Sequence, residues 1–441
     1  MKRSINITPI ILLITLFLIS CSDNSTDPGK TDTGTASIKG QVQAPDNTTP
    51  IQGATVYIGK APANNSGTQN KRKSQLITES SDQKNCTEPT TTSYTAYTCT
   101  DANGNFEFEA EVDAGQDEIE LKVFKGKFYF TKSVTINSNG VSDVGTVTVS
   151  TDGINIAVVT GSYDRMQDVL TKVGFGEIVT NQNATEYGTL KLGTETFDLY
   201  DGDNTLPEDY PDMGKLFEDN DGNSNPDINN YDIVFINCGA SEEYLFPSKE
   251  KKVHHSNYYV NHKKGLLAEK KISTIKDFVQ NGGMLYTTDL AYNYTEQVFP
   301  SYIDFMGDPG VSPEEAEQIY AAETGLPDIT VKAELLDSNL ADWLSVVGCE
   351  SGSCINKNQS VTIQGFAANW AVINKAHNGA DTQSWVKGPV EWNNGSGVKP
   401  LSMSFSLGSG KVIYSSYHTI EHEHSHEFRP QERILQYLVF E

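Results

Sequence analysis

The chain has 441 residues and a formal charge of −25, with 58 Asp and Glu against 33 Lys and Arg. That excess of acid argues against a nucleic-acid partner, because a phosphate-binding surface needs clustered cations, and it leaves divalent cations as natural counter-ions. A hydrophobic content of 37% fits a globular protein, and about 420 residues beyond the N-terminal segment exceed what one core holds, so two or three domains are expected.

Lys2 and Arg3 precede an uncharged apolar run from Ile10 to Ile19, followed by Ser20 and Cys21. The run is shorter than the roughly 20 residues of a spanning helix, so residues 1–20 read as a signal peptide. Leu18-Ile19-Ser20-Cys21 resembles the bacterial lipobox. The resemblance implies cleavage before Cys21, lipid on that cysteine, a membrane partner through the acyl chains and a place in the cell envelope. Ser22 in place of an aspartate after the cysteine resembles an outer-membrane address. Residues 21–35 are polar and read as a flexible tether.

With Cys21 assigned to lipid, Cys86, Cys99, Cys238, Cys349 and Cys354 remain. The spacing favours, without fixing, the disulfides Cys86 with Cys99 and Cys349 with Cys354. Cys238 is then the odd thiol, and an odd thiol is examined as a nucleophile.

Residues 36–150 show short alternating segments split by turn residues, such as Ser37 to Val42, Ala54 to Ile58, Phe106 to Phe108, Ile119 to Phe124 and Val144 to Val149. This is a β-sandwich pattern. Gly40-x-Val42, then Pro50-x-x-Gly53-Ala54-x-Val56, then Thr100-Asp101-x-x-Gly104-x-Phe106 resemble the carboxypeptidase regulatory-like, or transthyretin-like, domain. Asp101 to Gly104 read as a tight turn that sends Phe106 into the core. Lys60 to Tyr97, rich in Asn, Ser, Thr and Lys, reads as a solvated insertion. In that family such domains serve as spacers or interaction modules.

From Gly153 to Glu441 the pattern changes. Ile154 to Val159 and Tyr231 to Asn237 read as buried strands, and a helix through Ile272, Ile275, Phe278 and Val279 leads to a strand at Met284–Thr288. Leu401 to Leu407 and Lys411 to Tyr417 read as a hairpin, and a final helix holds Ile434, Leu435, Tyr437 and Leu438. The alternation argues an α/β, doubly wound, mostly parallel sheet with helices on both faces. Tyr231-Asp232-Ile233-Val234, Asn281 to Leu285, and Gly410-Lys411-Val412-Ile413-Tyr414 leading to His418 resemble the class I glutamine-amidotransferase-like fold, in particular its ThuA-like relatives. The fold expected is therefore an N-terminal all-β sandwich followed by a flavodoxin-like, amidotransferase-like domain over 153–441.

Glutaminases of that family carry a nucleophilic cysteine in a Gly-x-Cys-x-Gly elbow after the strand matched here by Met284–Thr288. This chain has Thr288-Asp289-Leu290-Ala291 there, so neither glutamine hydrolysis nor the tight turn that exposes a nucleophile is expected. Cys238 follows a different strand, where the family builds its oxyanion loop, and reads as a semi-buried thiol.

In a doubly wound sheet, residues past the carboxyl ends of the strands meet in one crevice. That rule gathers Ser162, Tyr163, Asp164, Cys238, Glu242, Thr288, Asp289 and His418, with Asp164, Asp289 and His418 as the candidate catalytic groups. Equally, Asp164 and Asp289 could cap the helices that follow them.

His418, His422, His424 and His426 are four of the eight histidines. A helix would align His418 with His422, and an extended chain His422, His424 and His426, either offering imidazoles to zinc or another transition metal. The alternative is a polar loop before a helix begun by Pro430. Asp219, Asp221, Asn223, Asn225 and Asp227 alternate around Gly222, as calcium in a tight loop requires, and resemble thrombospondin type 3 calcium loops. Here Asn230 stands where a calcium loop has its twelfth-position glutamate, and an acidic loop without metal is the other reading. The locally basic stretch Lys249 to Lys271 reads as a solvated insertion.

These features lead to a ligand-binding or scaffolding lipoprotein without glutaminase activity, its ligand a carbohydrate or other small molecule. A metal-dependent hydrolase or carbohydrate-active enzyme using Asp164, Asp289 and His418 is the alternative. A structural calcium-binding surface protein is the third.

Overall fold

A computed structural model describes residues 33–59, 86, 89, 94–113, 118–240, 269–307, 322–366, 370–419 and 425–441. The signal peptide, Cys21, most of the tether, most of the 60–97 insertion, Glu242, residues 249–268 of the basic stretch, His422 and His424 lie outside the described residues. No helix among the described residues is long and apolar enough to cross a membrane.

Seven strands open the chain: β1 (Thr33–Gln43), β2 (Thr55–Gly59), β3 (Tyr94–Cys99), β4 (Asn105–Asp113), β5 (Glu118–Lys125), β6 (Phe128–Thr135) and β7 (Val141–Thr148). They form two sheets, of order β4-β1-β7 and β3-β2-β5-β6. In β4, Phe106, Phe108, Ala110 and Val112 are buried while Asn105, Glu107, Glu109 and Glu111 are exposed. That two-residue period lays one face of the strand on a core.

The turn into β4 needs both of its signature residues. Asp101 Oδ1 accepts from the amides of Asn103 and Asn105 at 2.9 and 2.8 Å. Gly104 sits at φ 75°, where a Cβ would lie 2.4 Å from the Val42 carbonyl oxygen. The structure pairs Cys86 with Cys99 and Cys349 with Cys354, with Cα–Cα separations of 5.7 and 5.1 Å, and leaves Cys238 as the free cysteine among the described residues.

The rest of the chain is built on an eleven-stranded sheet. β8 (Ile156–Val159), β9 (Asp198–Tyr200), β10 (Ile233–Ile236), β11 (Met284–Thr288) and the Gly410–Ser415 strand run parallel, in the order β9-β8-β10-β11-Gly410–Ser415. Every residue of β8, β10 and β11 is buried. Their alternate side chains feed two cores. Ala157, Val159, Val234, Ile236 and Leu285 pack with Ile275, Phe278 and Val279 of the Glu269–Gln280 helix on one face. Ile156, Val158, Ile233, Phe235 and Met284 pack with Val169 and Leu170 of α1 (Met166–Lys172) and with Ile434 and Leu438 of the Pro430–Phe440 helix on the other.

Beyond Gly410–Ser415 the sheet turns antiparallel, through Gly395–Leu407, Thr382–Trp392, Val331–Leu335 and Ser360–Ile363. This corrects the expectation of a mostly parallel sheet: the chain is mostly β, with five α-helices among the described residues. The cause is the segment ahead of Gly410, which supplies hairpin-linked strands. Antiparallel neighbours need only a short turn, as between Trp392 and Gly395, whereas parallel ones need a crossover.

The N-terminal strands do not stand apart from this body. Phe128 of β6 packs 5.9 Å from the Phe175 ring and 4.5 Å from that of Phe440. Trp343 Nε1 donates to the Pro50 carbonyl at 2.8 Å, and Lys125 pairs with Glu441.

Candidate functional site

The carboxyl ends of β10, β11 and the Gly410–Ser415 strand deliver Cys238, Asp289 and His418 to one place. Their ligand-type atoms all lie within 4.8 Å of one another, and each residue is 1% exposed or less. Asp289 is the hub. Its Oδ2 lies 2.6 Å from His418 Nε2 and accepts from the Cys238 thiol at 3.4 Å, and its Oδ1 accepts from the Ala371 amide at 2.9 Å. The Tyr414 hydroxyl donates to the Asp289 carbonyl at 3.0 Å.

Asp289 also carries an unusual backbone, with φ 42°. A non-glycine residue there is uncommon and costs energy, and such residues gather at functional sites. The tight turn after β11, which the missing glycines argue against in the sequence, is therefore made by Asp289 itself.

Around the hub, Thr288 Oγ1 accepts from the Cys238 amide at 3.0 Å. The Tyr163 ring stacks on His418, 6.5 Å between centroids and 25° between planes. Asp164 is fully buried, and its Oδ1 accepts from the amides of Arg165 and Thr419, at 2.8 and 3.0 Å, and from the Thr419 hydroxyl. Neither Asp164 nor Asp289 makes a side-chain cap on the helical turn that follows. One oxygen of each carboxyl group reaches the loop after Gly410–Ser415, Asp289 Oδ2 at His418 and Asp164 Oδ1 at Thr419.

Burial sets the protonation of this cluster. It pushes the Cys238 thiol well up, reinforced by the negative charge of Asp289. It also raises Asp289, against the opposing pull of His418. A neutral thiol donating to a carboxylate is the reverse of the arrangement that activates a cysteine nucleophile.

The other candidates fall elsewhere. Ser162 Oγ is 3.3 Å from Asp203 Oδ2 and is not among the ligand-type groups of the cluster. His426 packs edge-on to Tyr187 at 3.9 Å. Among the described residues, His418 groups with Cys238 and Asp289 and not with His426.

Asp219, Asp221 and Asp227 do come together, on an exposed loop. There Asp219 accepts from the amides of Gly222 and Ser224 at 2.7 and 2.9 Å, and Asp221 from that of Asn223 at 2.9 Å. Asn223 Oδ1 accepts from the Asn225 amide at 2.8 Å. A cleft of about 220 Å³ lies at the junction with the N-terminal strands, lined by Lys125, Trp385, Tyr437 and Glu441 among others, and no residue of the buried cluster reaches it.

Sequence reasoning missed Ala371, Tyr414 and Thr419. Ala371 acts through its backbone amide, which no residue type signals.

No protein-family model matches the chain, and no curated protein matches it. Among solved structures, a cytoplasmic protein of Salmonella typhimurium is similar over 65% of this chain and 97% of its own, at 12% identity and a TM-score of 0.34. A second cytoplasmic protein, from Salmonella typhimurium LT2, covers 65% and 96% at 13% identity and a TM-score of 0.30. The E323A catalytic mutant of a GH42 β-galactosidase from G. stearothermophilus covers 65% of this chain and 29% of its own at 10% identity and a TM-score of 0.27. Likenesses of this size carry no argument about activity.

Proposed function

We propose that the chain is a lipid-anchored cell-envelope protein whose C-terminal body is an amidotransferase-like, ThuA-like domain that binds a small ligand and does not hydrolyse glutamine. The order β9-β8-β10-β11-Gly410–Ser415 supports the flavodoxin-like part of this reading, being the order 2-1-3-4-5 of one doubly wound family. One observation carries the loss of glutaminase activity. The turn after β11 presents Asp289, already bound to His418, Cys238 and Ala371, while Cys238 is held as a neutral thiol. A carbohydrate is the favoured ligand class, calcium the ion proposed for the Asp219–Asp227 loop, and acyl chains on Cys21 the membrane anchor.

Purified chain incubated with glutamine should release no ammonia. Its unfolding midpoint should rise with one or more members of a panel of mono- and disaccharides. Ammonia release that disappears in Cys238→Ser would overturn the glutaminase part, and a midpoint unmoved across the panel would overturn the carbohydrate part. Metabolic labelling with palmitate should mark the expressed chain and fail to mark Cys21→Ala.

A further inference from the structure

Cys238, Asp289 and His418 are separated by 51 and 129 residues in sequence, yet they offer one sulfur, one oxygen and one imidazole nitrogen within 4.8 Å. We propose that these three side chains form a binding site for a thiophilic divalent cation of the zinc class.

The donor set selects the ion. Calcium and magnesium take oxygen ligands, whereas a mixture of thiolate, imidazole and carboxylate suits zinc and its borderline-soft neighbours. The distances fit with little movement. Bonds of about 2.0–2.3 Å at tetrahedral angles hold ligand atoms roughly 3.3–3.7 Å apart. Cys238 Sγ and Asp289 Oδ2 stand at 3.4 Å, and His418 Nε2 would draw back from its present 2.6 Å contact with that oxygen. The supports of such a site are in place. The Ala371 amide holds Asp289, Thr288 holds the Cys238 backbone, and the Tyr163 ring lies along His418. Groups of this kind fix first ligands in register.

A second observation is independent of the ligand trio. Asp164 is fully buried, and its Oδ2 makes no hydrogen bond. A buried carboxylate oxygen without a partner calls for an ion or a water. The chain holds it beside the trio: Thr419, next to His418, donates its amide to Asp164 Oδ1 at 3.0 Å, and the amide of Tyr163, next to Asp164, donates to the Cys238 carbonyl at 3.2 Å. The nearest cation in sequence, Arg165, is turned instead to Asp168 at 3.6 Å, with its side chain 43% exposed. Asp164 and Asp289 thus bring two buried carboxyl groups to one imidazole's neighbourhood, and a divalent cation offsets the charge they carry when ionised. On binding, the S–H bond of Cys238 breaks, its proton passes to solvent, and the thiolate forms the metal–sulfur bond. Three protein ligands leave a fourth position for water or substrate, the pattern of catalytic rather than structural zinc.

The probe is cobalt(II) added to the full chain, purified in detergent and stripped with chelator. One equivalent should produce a thiolate-to-cobalt charge-transfer band in the near ultraviolet together with the intense visible bands of a tetrahedral ion, and zinc should bleach both. Cys238→Ser and His418→Gln, checked for fold by circular dichroism, should each weaken zinc binding at least about 100-fold. Asp219→Ala should leave it unchanged. A wild-type chain that shows no charge-transfer band overturns the proposal without recourse to any variant. So does zinc affinity that survives Cys238→Ser, or that is lost only in Asp219→Ala. This test stands apart from the saccharide panel, since either can fail alone.

Discussion

The Asp219–Asp227 loop and the Cys238–Asp289–His418 cluster both hold acidic groups close together, and they do so in opposite ways. On the loop the carboxylates face water, and the amides of the loop's own residues satisfy them. In the cluster water is excluded, and Asp289 depends on partners brought from Cys238, Ala371 and His418. Losing a partner on the loop exposes an oxygen to solvent that will bind it. Losing one in the cluster strands a charge in a medium that will not. The difference in burial therefore sets the scale of every substitution that follows.

His418→Ala should have the largest effect. Breaking a buried pair by removing one member costs about 3–5 kcal/mol, read as the shift in urea midpoint with chelator present. The buried pair Lys172–Glu432, at 2.7 Å between α1 and the Pro430–Phe440 helix, supplies a yardstick with no part in the cluster. Lys172→Ala should cost a similar amount. If His418→Ala costs less than about 1 kcal/mol while Lys172→Ala behaves as expected, the contrast between cluster and loop is wrong.

Asp168 isolates the contribution of burial. This carboxylate on α1 is raised from 3.8 to about 6 by desolvation, against the opposing charge of Arg165. The folded chain thus holds the proton more tightly than the unfolded chain does. The resulting stabilisation is complete below pH 3.8 and is lost as the pH rises through about 6. Above that, the ionised form costs up to about 3 kcal/mol. Asp168→Asn keeps an acceptor for the Leu190 amide, which Asp168 Oδ1 binds at 2.8 Å. Its stability relative to wild type should therefore improve between pH 4 and pH 7. A difference that stays flat over that interval would remove the argument.

Asp289 tests the backbone separately from the charge. At φ 42° asparagine is tolerated better than alanine. Asp289→Ala should be less stable than Asp289→Asn by about 1 kcal/mol in the same urea titration, before any loss of hydrogen bonds is counted. Equal stabilities would mean that the turn relaxes and that the strain at this position is not imposed by the fold.

The two regions also differ in how far a reader of the sequence can see them. The loop is local: alternating oxygen side chains around Gly222 announce it, and the structure brings three of the named carboxylates together. Asp289 and His418 were visible through the rule that strand ends converge, because β11 and the final parallel strand are continuous apolar runs. Cys238 stood out by cysteine arithmetic and by the same strand-end rule, but its bond to Asp289 depends on β10 and β11 lying side by side, which no spacing encodes. The antiparallel half of the sheet was hidden for a different reason. Thr382–Trp392 pairs with its neighbour across register shifts, and its burial does not alternate cleanly, so its two-residue period is blurred. Of the histidine run, His418 and His426 fall among the described residues, and the Pro430–Phe440 helix begins after both.

The loop should show the smallest effect, and that effect tests the comparison from its weak side. Asp219→Ala removes acceptors from the amides of Gly222 and Ser224, but these groups are at the surface, where water replaces the lost oxygen. With chelator present the cost should stay below about 1 kcal/mol, as for most surface substitutions. Gly222→Ala should cost a similar amount by a separate route. Gly222 sits at φ 80° with nothing within 4 Å of an added Cβ, so the penalty is backbone strain alone. Calcium should then separate the two variants. An ion that binds only the folded loop raises the unfolding midpoint in proportion to the logarithm of its concentration. Wild type and Gly222→Ala keep the three carboxylates and should respond, while Asp219→Ala should not. Equal calcium responses in all three chains would show that the loop's acidic groups serve its own amides and no ion.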